Sequence, residues 1–98
     1  MRLRKEKLQE KLQASIEWAE LLLVGLNAYR DEKENIVEPV AKAEARVQYD
    51  EDYKSFHKEL RRITKFSYRL GYSEEETKEI ITKIYWPNGK PAVKIPTV

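Results

Sequence analysis

The stretch from Val40 to Leu70 constrains the fold most, because it holds 31 residues without a proline or a glycine. Within it, apolar residues recur at alternating steps of four and three. The members of this seam are Tyr49, Tyr53, Phe56, Leu60, Ile63, Ser67 and Leu70. That spacing puts one face of an α-helix against a neighbour. We therefore expect a long helix that packs in an antiparallel helical hairpin or contacts a second copy of the chain.

The beginning of this helix is less regular than its end. Pro39 suits a first helical turn, where its missing N–H costs no hydrogen bond. Val40, Ala43 and Val47 then follow a different phase from the seam. The slip falls at "YDED", so the pattern allows a break near 48–51, with Asp50 as the N-cap of a new helix.

The N-terminal segment also has helical periodicity. One stripe is Leu8, Leu12, Ile16, Ala19, Leu23 and Leu26, and a second beside it is Ser15, Trp18, Leu22, Gly25 and Tyr29. Two adjacent stripes make a face that is too wide for one neighbouring helix. We expect this helix to contact two elements of its own chain, or one such element and a second copy. The candidate self-association residues are Trp18, Leu22, Gly25 and Tyr29.

The end of the long helix has clear stop and start signals. Gly71 suits the left-handed position that follows a helix. Ser73 and Glu76 form a Ser-x-x-Glu capping box that predicts a new helix. Beyond that helix, Asn88-Gly89 is a turn signal, and prolines at 87, 91 and 96 disfavour a regular strand pair. An extended arm over 87–98 is therefore favoured over a short β-hairpin at 82–95.

These signals predict one all-α domain over residues 1–98. We expect an antiparallel bundle of three helices, or of four if the long helix breaks near 48–51. The predicted helices span roughly 4–30, 39–70 and 74–85, and the extended arm follows them.

The residues that carry most enzymatic and metal chemistry are missing or badly spaced. Cysteine is absent, and His57 is the single histidine. Neither a phosphate-binding glycine loop nor a dinucleotide fingerprint occurs. Carboxylates cluster at residues 31–34, 50–52 and 74–76. The second and third clusters lie at expected helix starts, where acidic residues complement the helix dipole. We expect no enzyme activity, no catalytic residue, no metal and no cofactor.

The longest apolar run, Leu21 to Leu26, is far shorter than the roughly 20 residues of a membrane span. No signal-peptide pattern follows the basic N-terminus. We expect a cytoplasmic protein with no membrane partner.

The net charge of +2 conceals strong segregation along the chain. Residues 31–52 carry three basic and eight acidic side chains, whereas residues 53–72 carry six basic and one acidic. Residues 1–13 carry five basic and two acidic side chains. The favoured interpretation is internal pairing of one helix against another, and the alternative is recognition of a partner.

The basic cluster defines a second candidate surface on the long helix. Its residues are Lys54, Lys58, Arg61, Arg62, Lys65, Arg69 and the aromatic Tyr68. Cations with interleaved aromatics can bind phosphates or an acidic protein. The helix-turn-helix-like segment 58–80 does not suit base reading, because its second helix begins with "SEEETKE".

The function that these patterns favour is a small, non-enzymatic interaction or regulatory protein. It binds another protein and self-associates through the first helix and the seam. One alternative is a nucleic-acid-binding protein that uses the basic face. Another is a small inhibitor of an enzyme or receptor, of the type that mobile elements encode.

Overall fold

The computed structural model describes residues 3–88 of the 98-residue chain, with side chains from residue 5 onward. Three α-helices account for most of this range: α1 spans Leu3–Glu32, α2 spans Pro39–Arg69 and α3 spans Glu74–Tyr85. A single turn of 3₁₀-helix, Lys33–Asn35, follows α1. Residues 3–88 contain no strand, so the predicted all-α class is confirmed.

Helices α1 and α2 run antiparallel along most of their lengths. Near the end of α1, Tyr29 stacks on Tyr49 from the first half of α2, with ring centroids 4.7 Å apart. At the middle of α1, Ser15 and Trp18 lie beside Glu59 in the second half of α2. Later residues of α1 thus contact earlier residues of α2, as the antiparallel arrangement requires.

Helix α3 contacts both long helices but covers only part of them. Tyr85, its last residue, meets Phe56 of α2 edge-on with ring centroids 5.6 Å apart. The third helix therefore accompanies the first half of α1 and the second half of α2. Contact with both α2 and α3 accounts for the buried members of the two stripes of α1, whereas Trp18 and Gly25 of the second stripe stay exposed.

The core forms where the three helices meet. Its buried apolar members are Leu12, Ala19, Leu22, Leu26, Phe56, Ile63 and Ile84. Tyr49, Leu60 and Leu70 pack against it from the seam. The seam residues Phe56, Ile63 and Ser67 are thus buried within the chain, whereas Tyr49, Leu60 and Leu70 are partly buried. Tyr53 is the exception, because about half of its side chain is exposed.

The ends of α2 are held by local hydrogen bonds. At its start, Pro39 is in the first turn and the Glu38 carboxylate accepts from the N–H groups of Val40 and Ala41, at 3.1 and 2.7 Å. At its end, Gly71 has a φ of +87°, and the Tyr72 N–H donates to the Ser67 carbonyl oxygen at 3.0 Å. These bonds satisfy groups that a helix terminus leaves unpaired.

The α2 helix is unbroken, so the alternative of a new helix near 48–51 is wrong. Asp50 lies inside the helix and accepts from Arg46 at 3.3 Å, one turn earlier. The phase slip has a physical reason: Val40 and Val47 are exposed, so burial does not fix their phase. Residues 82–85, where the alternative β-hairpin would begin, belong to α3. Residues 89–95 of that hairpin and residues 89–98 of the predicted arm lie outside the described residues.

Candidate functional site

A groove runs between α1 and α2 on the side that α3 leaves uncovered. Its volume is about 610 Å³, and we call it the α1–α2 groove. Its lining residues are Lys11, Ala14, Ser15, Trp18, Glu59, Arg62 and Phe66. The groove thus combines two aromatic side chains, Trp18 and Phe66, with two cations, Lys11 and Arg62.

The polar residues of the groove are held close to its base. Ser15 and Glu59 are each only 6% exposed. The nearest cation to the Glu59 carboxylate is Arg62, with Nη1 and Oε2 3.5 Å apart. A separation at this limit makes a weak hydrogen bond. Glu59 therefore keeps acceptor capacity for an N–H or O–H group that enters the groove.

The groove continues into an exposed apolar surface on α1. Trp18, Leu21 and Val24 follow one another at steps of three and are 51%, 63% and 67% exposed. Exposed small residues accompany them. Together with the exposed Glu17, four residues before Leu21, they form what we call the outer face of α1, whose uncharged members are Ala14, Trp18, Leu21, Val24, Gly25 and Ala28. Large exposed apolar side chains grouped on one face mark an interaction surface.

Gly25 lies within the outer face, and the packing of its own chain does not require it. A Cβ at this position would meet only the Asp52 Oδ2 atom, at 3.7 Å, which is ordinary contact. Its backbone is helical, and a glycine in a helix interior costs about 1 kcal/mol relative to alanine. An alanine at this position would therefore fit within the chain itself.

The structure corrects two of the four residues predicted for self-association. Leu22 is buried in the core, and Tyr29 packs against Tyr49. The reason is that α2 lies against this side of α1. Trp18 and Gly25 remain on the surface. Leu21 and Val24 were missed, although a helical wheel of "WAELLLVG" places both on the side of Trp18, away from Leu12 and Leu26.

The basic residues of α2 lie together on its solvent side. Lys54, Lys58, Arg61, Arg62, Lys65 and Arg69 are all exposed, and Tyr68 is half-exposed among them. They span about 22 Å of helix at 1.5 Å per residue. The structure thus brings all seven predicted residues to one surface, which we call the basic face of α2.

The segregated charges are not paired between helices in residues 5–88. The three ion pairs in this range are Arg46–Asp50, Arg62–Glu59 and Lys78–Glu74, and each lies within one helix. The favoured interpretation of internal pairing is therefore wrong for these residues. The antiparallel arrangement of α1 and α2 keeps acidic 31–52 at one end and basic 53–72 at the other.

Metal-binding geometry is not found among the described residues, where no three His, Asp or Glu side chains converge. His57 is half-buried beside Tyr53, with ring centroids 4.4 Å apart. Its surroundings are aromatic rather than carboxylate, which does not suit metal coordination.

Comparisons with known proteins give no relative for this chain. No family model matches it, and neither the curated proteins nor the solved structures contain a match. Within the described residues, no helix has an apolar stretch long enough to cross a bilayer.

Proposed function

We propose that this chain is a protein-interaction module that self-associates through the outer face of α1. The observation that carries the proposal is the exposure of Trp18, Leu21 and Val24 on consecutive turns of a helix whose other side forms the core. Burying these side chains against a protein surface removes apolar area from water, at about 25 cal/mol per Å².

The rest of the molecule suits a scaffold for that face. An antiparallel helical bundle fixes α1 between α2 and α3, so the outer face is presented on a rigid support. Trp18 borders the α1–α2 groove and has the size that dominates interface energetics. A chain without cysteine suits the reducing cytoplasm, which is the compartment we propose.

Light scattering of the purified chain tests self-association. We expect a mass above the 11.7 kDa of one chain, rising with concentration. Replacing Trp18, Leu21 and Val24 with serine should return the mass to that of one chain without loss of helicity. The matched control replaces Val37, Val40 and Val47, which are also exposed, with serine and should leave the mass unchanged. A wild-type chain that stays at 11.7 kDa at every concentration overturns the proposal.

The basic face of α2 favours a second function, in which the protein binds the phosphates of a nucleic acid. Arg62 is the one cation of this face that forms an ion pair within residues 5–88. Contacts of this kind release counterions, so binding weakens steeply as salt rises. Sequence preference is not expected, because the lysine and arginine side chains of this face would contact the phosphates of the nucleic acid rather than the edges of its bases.

Fluorescence polarisation with single- and double-stranded DNA and RNA at about 50 mM salt tests this second function. Changing Lys58, Arg61 and Lys65 to glutamine should weaken every complex by a similar factor and reduce the salt dependence. The control changes Lys33, Lys42 and Lys83, which lie away from this face, to glutamine. Absence of binding to all four nucleic acids contradicts the function.

A further inference from the structure

The outer face of α1 places residues of similar kind at equal distances on either side of Leu21, except that Glu17 stands opposite Gly25 at four residues. Ala14 and Ala28 lie seven residues before and after Leu21, and Trp18 and Val24 lie three residues before and after it. We propose that a second copy of this chain covers this face, with its α1 antiparallel to the first and Leu21 at the two-fold axis. This inference rests on the proposed function and adds the partner and its orientation.

The antiparallel register gives Trp18 a matching neighbour. In it, Trp18 of one copy lies beside Gly25 of the other, because the two residues stand three before and four after the axis. Viewed down the helix axis, Trp18 and Gly25 also lie on the same side of Leu21. The missing Cβ of Gly25 makes room for the indole ring. One contact thus accounts for an exposed tryptophan and for a helix glycine that its own chain does not need.

The distribution of charge selects the antiparallel orientation over the parallel one. Residues 31–52, with eight acidic side chains, lie at the opposite end of the molecule from residues 53–72, with six basic ones. An antiparallel copy puts the acidic end of each chain beside the basic end of the other. A parallel copy puts like charges together, which is repulsive.

Charges on α1 itself agree with this orientation at one height and oppose it at another. Lys11 lies ten residues before Leu21 and Asp31 lies ten residues after it, so they share a height in the antiparallel pair. Glu32, eleven residues after Leu21, shares its height with Glu10 and lies about one turn from Lys7. Glu6 and Glu10 reduce the positive charge of the first end, but residues 1–13 stay basic overall. Such a symmetric pairing is isologous, the commonest arrangement of protein dimers.

Disulfide trapping tests the orientation, and the absence of native cysteine makes single reporters unambiguous. The variants Ala14→Cys and Ala28→Cys should cross-link to each other when mixed, and poorly to themselves. In the antiparallel pair, two copies of residue 14 are about 21 Å apart along the helices, whereas a disulfide requires Cα atoms within about 7 Å. Leu21→Cys should cross-link to itself, and Val37→Cys, away from this face, should not.

The outcomes separate this inference from the proposed function. If Ala14→Cys cross-links efficiently to itself and serine substitutions on the outer face still abolish the dimer, the antiparallel arrangement is overturned and the proposed function stands. A monomeric wild-type chain overturns both, whereas a dimer that Leu21→Cys does not trap overturns the antiparallel arrangement alone. Gly25→Ala supplies a second readout: it should raise the dissociation constant of the dimer about tenfold by overpacking, while leaving the monomer folded. If the dissociation constant of the Gly25→Ala dimer equals that of wild type, the Trp18–Gly25 contact and the proposed register are contradicted.

Discussion

Tyr29 and Tyr49 pack ring against ring near the end of α1, with centroids 4.7 Å apart and planes inclined by 33°. No part of α3 accompanies the long helices there, since that helix ends at Tyr85 beside Phe56. The tyrosine pair therefore carries much of the packing that holds the last turns of α1 against α2. It also fixes the register that puts the outer face of α1 on the surface.

Replacing Tyr49 with alanine should destabilise the chain by about 2 kcal/mol, because it removes a partly buried ring and its aromatic partner contact. Denaturant unfolding followed by circular dichroism measures the change. Tyr68→Ala is the matched control, since Tyr68 is half-exposed on the same helix, and its effect should stay within about 0.5 kcal/mol. Equal losses in the two variants would contradict a special role for the tyrosine pair.

Ser67→Ala should stabilise the protein. The Ser67 side chain is fully buried, and its Oγ atom has no hydrogen-bond partner among the described residues. An unpaired hydroxyl in the core costs desolvation energy, and alanine is the better helix former. We expect a gain of about 1 kcal/mol in the free energy of unfolding.

Ser55→Ala separates the two contributions, because Ser55 is exposed on the same helix and reports helix propensity alone. A gain at position 67 no larger than that at position 55 would show that the buried hydroxyl has found a partner, such as an ordered water molecule.

The features that the sequence predicts well are those decided by neighbouring residues. Pro39 at the start of α2 and the Ser73–Glu76 box at the start of α3 involve bonds within a few positions, so their signals are local. Glu38 as the N-cap of α2 was missed, because serine, threonine, aspartate and asparagine dominate that position.

The surface of α1 was harder to predict because it depends on where its neighbours lie. The second stripe combines Trp18 and Gly25, which stay exposed, with Leu22 and Tyr29, which pack within the chain, so periodicity does not show which of its members are covered. That difference comes from the placement of α2 and α3, which is a tertiary property. The basic face of α2 was predictable in full, because its opposite side carries the seam.

Gly71→Ala should destabilise the protein by about 1–2 kcal/mol. The φ of +87° at Gly71 is unfavourable for a residue with a Cβ, and no atom lies within 4 Å of the position that this Cβ would occupy. The loss therefore comes from the backbone alone. Gly71→Asn should lose less, since asparagine tolerates the left-handed region better. Thermal unfolding of both variants checks the order, and an asparagine variant less stable than the alanine variant would contradict it.

The capping box of α3 should make stability depend on pH in acid. The Ser73 N–H donates to the Glu76 Oε1 atom at 2.9 Å, and this bond lowers the pKa of Glu76 below its ordinary value of 4.5. The folded state thus favours the carboxylate. Its contribution to stability is complete above the unfolded pKa and is lost as the pH falls through the lower, folded pKa.

Glu76→Gln isolates this contribution, because glutamine keeps an acceptor oxygen at the same position without the charge. The variant should be less stable than wild type near neutral pH, and the difference should shrink as the pH falls through the folded pKa of Glu76, which lies below 4.5. Urea unfolding at several pH values measures it. Glu75→Gln, in the same first turn but without a bond to Ser73, serves as the control. A difference between wild type and Glu76→Gln that stays constant in acid would contradict the carboxylate's role in the cap.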